Sequence, residues 1–455
     1  MRILFYRTIR TAVFIIITAA VFSCNNSRPN RDTLWTAGFI EKAPHTIVLN
    51  EDAMGALDAV GDDGTFVFNA RPSQLENAVS GDVMVVGPCK AAPDGALRKI
   101  DSIVRSDGSM VVLTSPSTLE EAISDCDASM RAQYDNQRIG RFAPLKNGVA
   151  LQQAAAKPND GLVWKPSPIV IKMDNTILFD ADGNPDTAYD QISASGQLTV
   201  SPEFEFDIKI SNFKLEQALI KNKTTEVADF RIKNGDMNKS AYNFNLSTNV
   251  AQIYFTPIVF FISGFPVVIT PSLTVKVGLN GDIRYEISAG IRQQATLELG
   301  AQYANGEWRP IKNFTNTVSL DAPSLRADAK FQAYMTPRFE LALYGVAGAY
   351  VDVKGYLELD VKGYADHVID FTTDIPDFQK PDWKFLGSIN GSLSWGIYAG
   401  VSSHIGVFIR VLSFDLFDYN YEIFNYKWTL HEGSISGTAG YNENGITRTA
   451  ASVNP

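Results

Sequence analysis

What this chain has little of narrows its chemistry first. Its 455 residues include only four histidines, His45, His367, His404 and His431. None has a second histidine or a cysteine at metal-ligand spacing, and His431-Glu432 lacks the second histidine of a zinc-protease helix. There are three cysteines, Cys24, Cys89 and Cys126, and no Cys-x-x-Cys pair, so a thioredoxin-like redox motif is missing. No Gly-x-Ser-x-Gly elbow and no glycine-rich phosphate loop occurs, which argues against a serine hydrolase and a nucleotide enzyme. Basic residues are outnumbered, 40 Lys and Arg against 50 Asp and Glu, for a net charge of −10. The leader contains Arg2, Arg7 and Arg10 but no acid, so the remainder is more acidic still. That balance argues against nucleic acid as a partner, because phosphate binding needs concentrated positive charge. It also offers no basic patch for an anionic bilayer. The expectation is a protein that is not an enzyme. A carboxylate pair for glycoside hydrolysis is a spatial feature that sequence does not reveal, but Glu286, Glu298 and Glu358 fall on polar strand faces, where a solvated surface is expected.

What is present is alternation. In Val275, Val277, Leu279, in Ile283, Tyr285, Ile287, Ala289, Ile291, and in Ala295, Leu297, Leu299, Ala301, every second side chain is apolar. A period of two sends one set into a core and the other toward water. Asn280-Gly281 and Asn305-Gly306 tolerate the positive φ angles of two-residue hairpin turns. From Val351 to Lys362 the alternation is unbroken, enough for a strand of about 40 Å. The hydrophobic content of 45% fits a folded body. The expected fold is mainly β: a small β-rich N-terminal module, then a large antiparallel β-sheet domain, either a sandwich or a strongly curved sheet.

The N-terminus carries the sharpest signal. A positive stretch, Arg2 to Arg10, precedes an apolar core from Thr11 to Phe22 that is too short for a spanning helix. Val21-Phe22-Ser23-Cys24 then resembles the lipobox of bacterial lipoproteins, and the Phe-Ser-Cys-Asn-Asn junction is similar to that of Bacteroides-type members. Phe22 is bulkier than the usual occupant of its position. The resemblance implies cleavage before Cys24, acylation of Cys24, and anchoring to the outer membrane through its acyl chains, since each buried methylene contributes about 0.8 kcal/mol. No acidic run follows the cysteine before Arg31, so the periplasmic face and the cell surface both remain open.

The expected organisation is a signal peptide over 1–23, a tether over 24–44, a small β-rich module with one C-terminal helix over 45–135, a linker over 136–168, the large β domain over 169–432 and a flexible tail over 433–455. In the module, Ser106-Asp107-Gly108-Ser109 reads as a hairpin connection, and Ser117 or Thr118 as the N-cap of a helix containing Cys126. Cys89 and Cys126 are an even remainder once Cys24 is lipidated, which makes a disulfide between them an expectation, with two separate buried thiols as the alternative. Residues 213–241, with shorter strands and more charge, read as exposed loops or an edge. The uncharged run Ile253–Ile269 contains Pro257, Gly264 and Pro266, so it reads as two buried strands turning at Ser263-Gly264 rather than a helix; an exposed apolar patch is the other reading.

Asp180, Asp182, Asn184 and Asp186 place oxygen donors at alternate positions around Gly183, a candidate calcium loop, although a plain hairpin turn accounts for the same residues. No other cofactor is expected. Aromatics crowd the end of the large domain, and there Phe424, Tyr426, Trp428 and Leu430 share one parity, the pattern of a packed face. The segments Tyr344 to Gly348 and Tyr356 to Leu359, after a module containing Gly81-Asp82, resemble secreted β-rich bacterial proteins; that resemblance implies no activity. The functional expectation is a membrane-anchored lipoprotein with a non-catalytic binding or scaffolding role at the cell envelope and a glycan, lipid or protein ligand. A transmembrane β-barrel and a carbohydrate-active enzyme are the alternatives.

Overall fold

The structure is a computed structural model that describes residues 34–152, 167–187, 190–234, 242–283, 288–345, 347–371, 385–386, 389–411, 414–442 and 445–454. The leader and Cys24 lie outside the described residues. Among those residues no helix is long and apolar enough to cross a membrane.

The chain opens with β1 (Leu34–Lys42) and then builds the small sheet from β2 (Thr46–Val48), β3 (Leu57–Val60), β4 (Thr65–Phe68), β5 (Val83–Val86), β6 (Ala96–Ser106) and β7 (Ser109–Pro116). Their order is β2-β5-β6-β7-β4-β3, with β2 parallel to β5 and the other pairs antiparallel. The expected hairpin closes β6 onto β7 through Gly108 at φ 79°. Alternate residues of this sheet, Phe66, Phe68, Met84, Ile100 and Met110, form one core. All four residues of β5 are buried because its second face, Val83 and Val85, belongs to the core of the large body. The module is therefore seated on that body. Thr270 Oγ1 donates to Asp94 Oδ1 at 2.9 Å across the contact, and Thr46 Oγ1 donates to the Ala122 carbonyl at the same distance.

The large sheet continues with β8 (Ile123–Gln133), β9 (Ile139–Pro144), β10 (Val149–Gln152), β11 (Ile169–Asp180), β12 (Gln191–Ser211), β13 (Lys214–Asn234), β14 (Tyr242–Phe255), β15 (Ile258–Ile262), β16 (Phe265–Ile283), β17 (Ser288–Ala304), β18 (Glu307–Leu343), β19 (Ala347–Phe371), β20 (Phe385–Leu386), β21 (Ile389–Val411), β22 (Phe414–Asn442) and β23 (Gly445–Asn454). Antiparallel pairing arranges them in two layers. In the first, β8 and β11 flank different halves of β12, followed by β13, β17 and the first half of β18. In the second, β9, β14, β16, the second half of β18, β19, β21, β22 and β23 follow in turn. The 37-residue β18 belongs to both: residues up to Ser324 pair with β17, and those from Ala329 lie between β16 and β19. At the other side the chain crosses between layers from β8 to β9, where buried Tyr134 packs on Phe204 and Phe255.

Between the layers lies the main core, including Phe204, Phe206, Leu273, Val275, Phe339, Leu357 and Leu359. The mainly β, sandwich-like architecture agrees with the alternation in the sequence.

Several expectations are corrected. Residues 34–42, placed in the tether, are strand β1 paired with β8. The helix at Thr118 has the expected cap, a capping box with Glu121, but spans only Leu119–Ala122. Cys126 lies in β8 of the large sheet instead, where Ala128, Met130 and Ala132 alternate inward. Residues 139–144 and 149–152, assigned to the linker, are β9 and β10. Residues 214–234 form a central strand, not loops or an edge. Strands continue through 433–442 and 445–454, where a flexible tail was expected.

Asn280-Gly281 is not a turn. Gly281, at φ 124°, sits inside β16 with the Lys330 backbone pressed against the position a Cβ would take. Asn305-Gly306 does turn, at φ 55° and 82°, and pairs Ala304 with Glu307. The apolar run from Ile253 turns at Ser263-Gly264 as expected, but Phe261 remains 49% exposed. The aromatic row of β22 is covered only in part. Phe424 is buried and stacks on Phe314 at 4.8 Å, while Tyr426 is exposed.

Candidate functional site

The sequence-predicted residues fall into separate places. Cys126 is buried in the inter-layer core and Cys89 packs beside the module core; both are free thiols, so the expected disulfide is not formed. Burial pushes the Cys126 thiol up to about 12, which makes it an inert core side chain. Glu298 and Glu358 are on outward strand faces, paired with Lys221 at 3.1 Å and Lys427 at 2.9 Å. They belong to opposite layers, so they cannot share a substrate. Glu286 lies outside the described residues.

In the β11–β12 connection, Asp180 and Asp182 are brought together with Asp190, their oxygens within 4.8 Å of one another. Asp186 is not in this group, and Asn184 turns its Oδ1 back to accept the Asp186 N–H at 3.2 Å.

A second constellation crosses the outer face of the second layer. Here Asn249 and Gln252 of β14, Thr274 and Lys276 of β16, Thr336, Arg338 and Glu340 of β18, and Asp352 of β19 line a groove of about 250 Å³. Register creates it. Lys276 is opposite Thr336, Thr274 is opposite Arg338, and Arg338 is opposite Asp352. Asn249 and Gln252 are three apart yet share this face because the pairing shifts by one residue between Asn249 and Ala251, the effect of a β-bulge.

The groove floor is built from tyrosine rings and an ion pair. The Arg338 guanidinium lies 3.4 Å over the Tyr350 ring and 3.1 Å from Glu340. Tyr350, only 2% exposed, occupies the space that a side chain at Gly406 would need. Tyr334 covers Gly278 and Tyr356 covers Gly400 in the same way, each a direct cross-strand pair. Such pairs restore the packing that glycine leaves out of a sheet. Lys354 extends from this face over Tyr334 at 4.2 Å and donates to Gln332 at 2.6 Å; burial lowers its pKa against the opposing pull of Glu358. At the groove's end Asp352 Oδ1 is 3.0 Å from His404 Nδ1, and His404 Nε2 is 3.7 Å from Glu422.

Asn249, Gln252, Thr274, Lys276 and Thr336 form no side-chain hydrogen bond or ion pair among the described residues. A partly enclosed surface whose donors and acceptors are not engaged by other side chains can orient a polar ligand. No family model, curated protein or solved structure matches the chain.

Sequence reasoning missed the groove because each residue lies at an ordinary polar position of an alternating strand. Only register shows that they meet. It also missed Glu226, whose side chain points between the layers from β13. Burial raises its pKa to about 8, and no described residue hydrogen-bonds it. Asn222, Gln293 and Asn316 add buried polar atoms without partners to the same inward face.

Proposed function

We propose that this is a membrane-anchored binding protein of the cell envelope, held through an acylated Cys24 at the outer membrane, whose groove on the second layer takes a hydroxyl-rich ligand. The observation that carries this reading is the set of five side chains, Asn249, Gln252, Thr274, Lys276 and Thr336, that converge on one groove and have no side-chain partner among the described residues. Two amides and two hydroxyls supply both donors and acceptors, the pattern that ring and exocyclic hydroxyls of an oligosaccharide complement. Lys276 and Arg338 are balanced by Glu340 and Asp352 in the lining, so a neutral glycan fits best.

The outward faces support a body surrounded by water. Glu205, Lys221 and Glu298 form a charged ladder on the first layer, with contacts of 2.6 and 3.1 Å, while the apolar residues point between layers. A membrane barrel has the opposite arrangement, with an apolar exterior.

Fractionation tests the anchor. Cys24→Ala is expected to move the protein from membranes into the soluble fraction without detergent; retention as an integral membrane protein would favour the barrel instead. A glycan array followed by calorimetry tests the groove. Joint replacement of Gln252 and Lys276 by alanine is expected to weaken binding by about 2 kcal/mol or more, roughly 30-fold, with an unchanged melting temperature. An array with no captured glycan, or full affinity in the double variant, overturns the reading.

A further inference from the structure

We propose that Asp180, Asp182 and Asp190 form a calcium site at the connection between β11 and β12. Three carboxylates converge there with oxygens within 4.8 Å of one another, and none is paired with a lysine or arginine among the described residues. The decisive member is Asp190. Its side chain belongs to a residue only 7% exposed. Oδ2 accepts the Asp182 N–H at 3.0 Å, but Oδ1 is enclosed and has no hydrogen-bond donor among the described residues. A buried carboxylate oxygen without a donor calls for a compensating charge, and a cation between the three acids supplies it.

Carboxylates gathered from one loop suit calcium, whose coordination shell is flexible. Calcium holds oxygens at about 2.3 to 2.6 Å, so two ligands on opposite sides of it are about 4.6 to 5.2 Å apart. The three oxygens all lie within 4.8 Å of one another, close enough to share one ion. Magnesium, with bonds of about 2.0 to 2.1 Å, draws opposite ligands to about 4.2 Å and demands a stricter octahedron.

The acids are held in place before any ion arrives. Gly183 N–H donates to Asp180 Oδ1 at 2.9 Å, Gln191 Nε2 to Asp180 Oδ2 at 3.2 Å, and Thr187 Oγ1 to Asp182 Oδ2 at 2.9 Å. Each carboxylate oxygen keeps a further lone pair for a metal. With three protein carboxylates and water completing the shell, the site belongs to the weaker class, with a Kd of about 10⁻⁴ M.

The test uses the full chain, stripped with chelator and titrated with calcium chloride by calorimetry, with magnesium chloride as comparator. One calcium per chain is expected, with a melting temperature that rises in calcium and not in equimolar magnesium. Asp190→Asn keeps an acceptor for the Asp182 N–H while removing the charge, and is expected to weaken calcium binding by about tenfold or more. Should that variant lose its circular dichroism spectrum, Asp180→Asn at the half-buried end of β11 decides in its place. Absence of calcium heat and of a melting shift overturns the proposal, as does undiminished affinity in a folded variant or equal affinity for magnesium.

Discussion

Replacing Glu226 with glutamine is expected to leave stability nearly unchanged at pH 4 and to raise it by on the order of 5 kcal/mol at pH 9. The carboxyl is wholly buried on the inward face of β13, and burial moves its pKa from an ordinary 4.5 to about 8. Below pH 4.5 it is protonated in both folded and unfolded chains and carries no penalty. Between pH 4.5 and about 8 the unfolded chain releases a proton that the folded chain retains, so stability falls as pH rises. Above about 8 the folded carboxyl ionises as well and the loss is complete. Glutamine has nearly the same shape and does not titrate. Urea denaturation at pH 4, 6.5 and 9 reads the difference directly, and parallel pH profiles for the two proteins would mean that Glu226 reaches water.

Phe204→Ala is expected to cost about 3 to 5 kcal/mol, the range for deleting a buried aromatic ring. Phe204 is 4% exposed on the inward face of β12, with ring centroids 5.7 Å from Tyr134 and 6.1 Å from Phe339. It thus touches the segment that crosses between layers and the second layer itself. The midpoint of chemical denaturation measures the loss. Phe261→Ala, at a side chain 49% exposed, serves as the control and should stay within about 0.5 kcal/mol of the parent. Equal effects at the two sites would contradict the packing between layers.

These two positions also show how far sequence alone can be read. Phe204 lies in a clean alternation with Phe206, Ile208 and Ile210, and all four point inward as that period requires. Glu226 follows the same period from Ala218 and Ile220 to Phe230 and Ile232, but Asn222 and Thr224 precede it on the buried face. A polar interruption in an inward stripe has the same letters as an exposed loop, and only tertiary packing tells them apart. The Asn280-Gly281 pair fails for a related reason. The strands on either side of it belong to different layers, β16 pairing with β14 and β18 while β17 pairs with β13 and β18, so no local hairpin is available to use its turn preference. The acidic loop was visible through Asp180 and Asp182. Asp190 was not, because its contribution depends on the antiparallel return of β12 beside β11. The groove is legible only after register is known.

The sharing of β18 between layers bears on how the chain acquires its shape as it emerges N-terminus first. Until residues 307–343 arrive, β17 and β16 each lack a neighbour that only this segment provides, and β9 must already have waited for β14 more than one hundred positions later. Early segments therefore keep unpaired edges until late strands arrive, the kind of long-range pairing that slows folding.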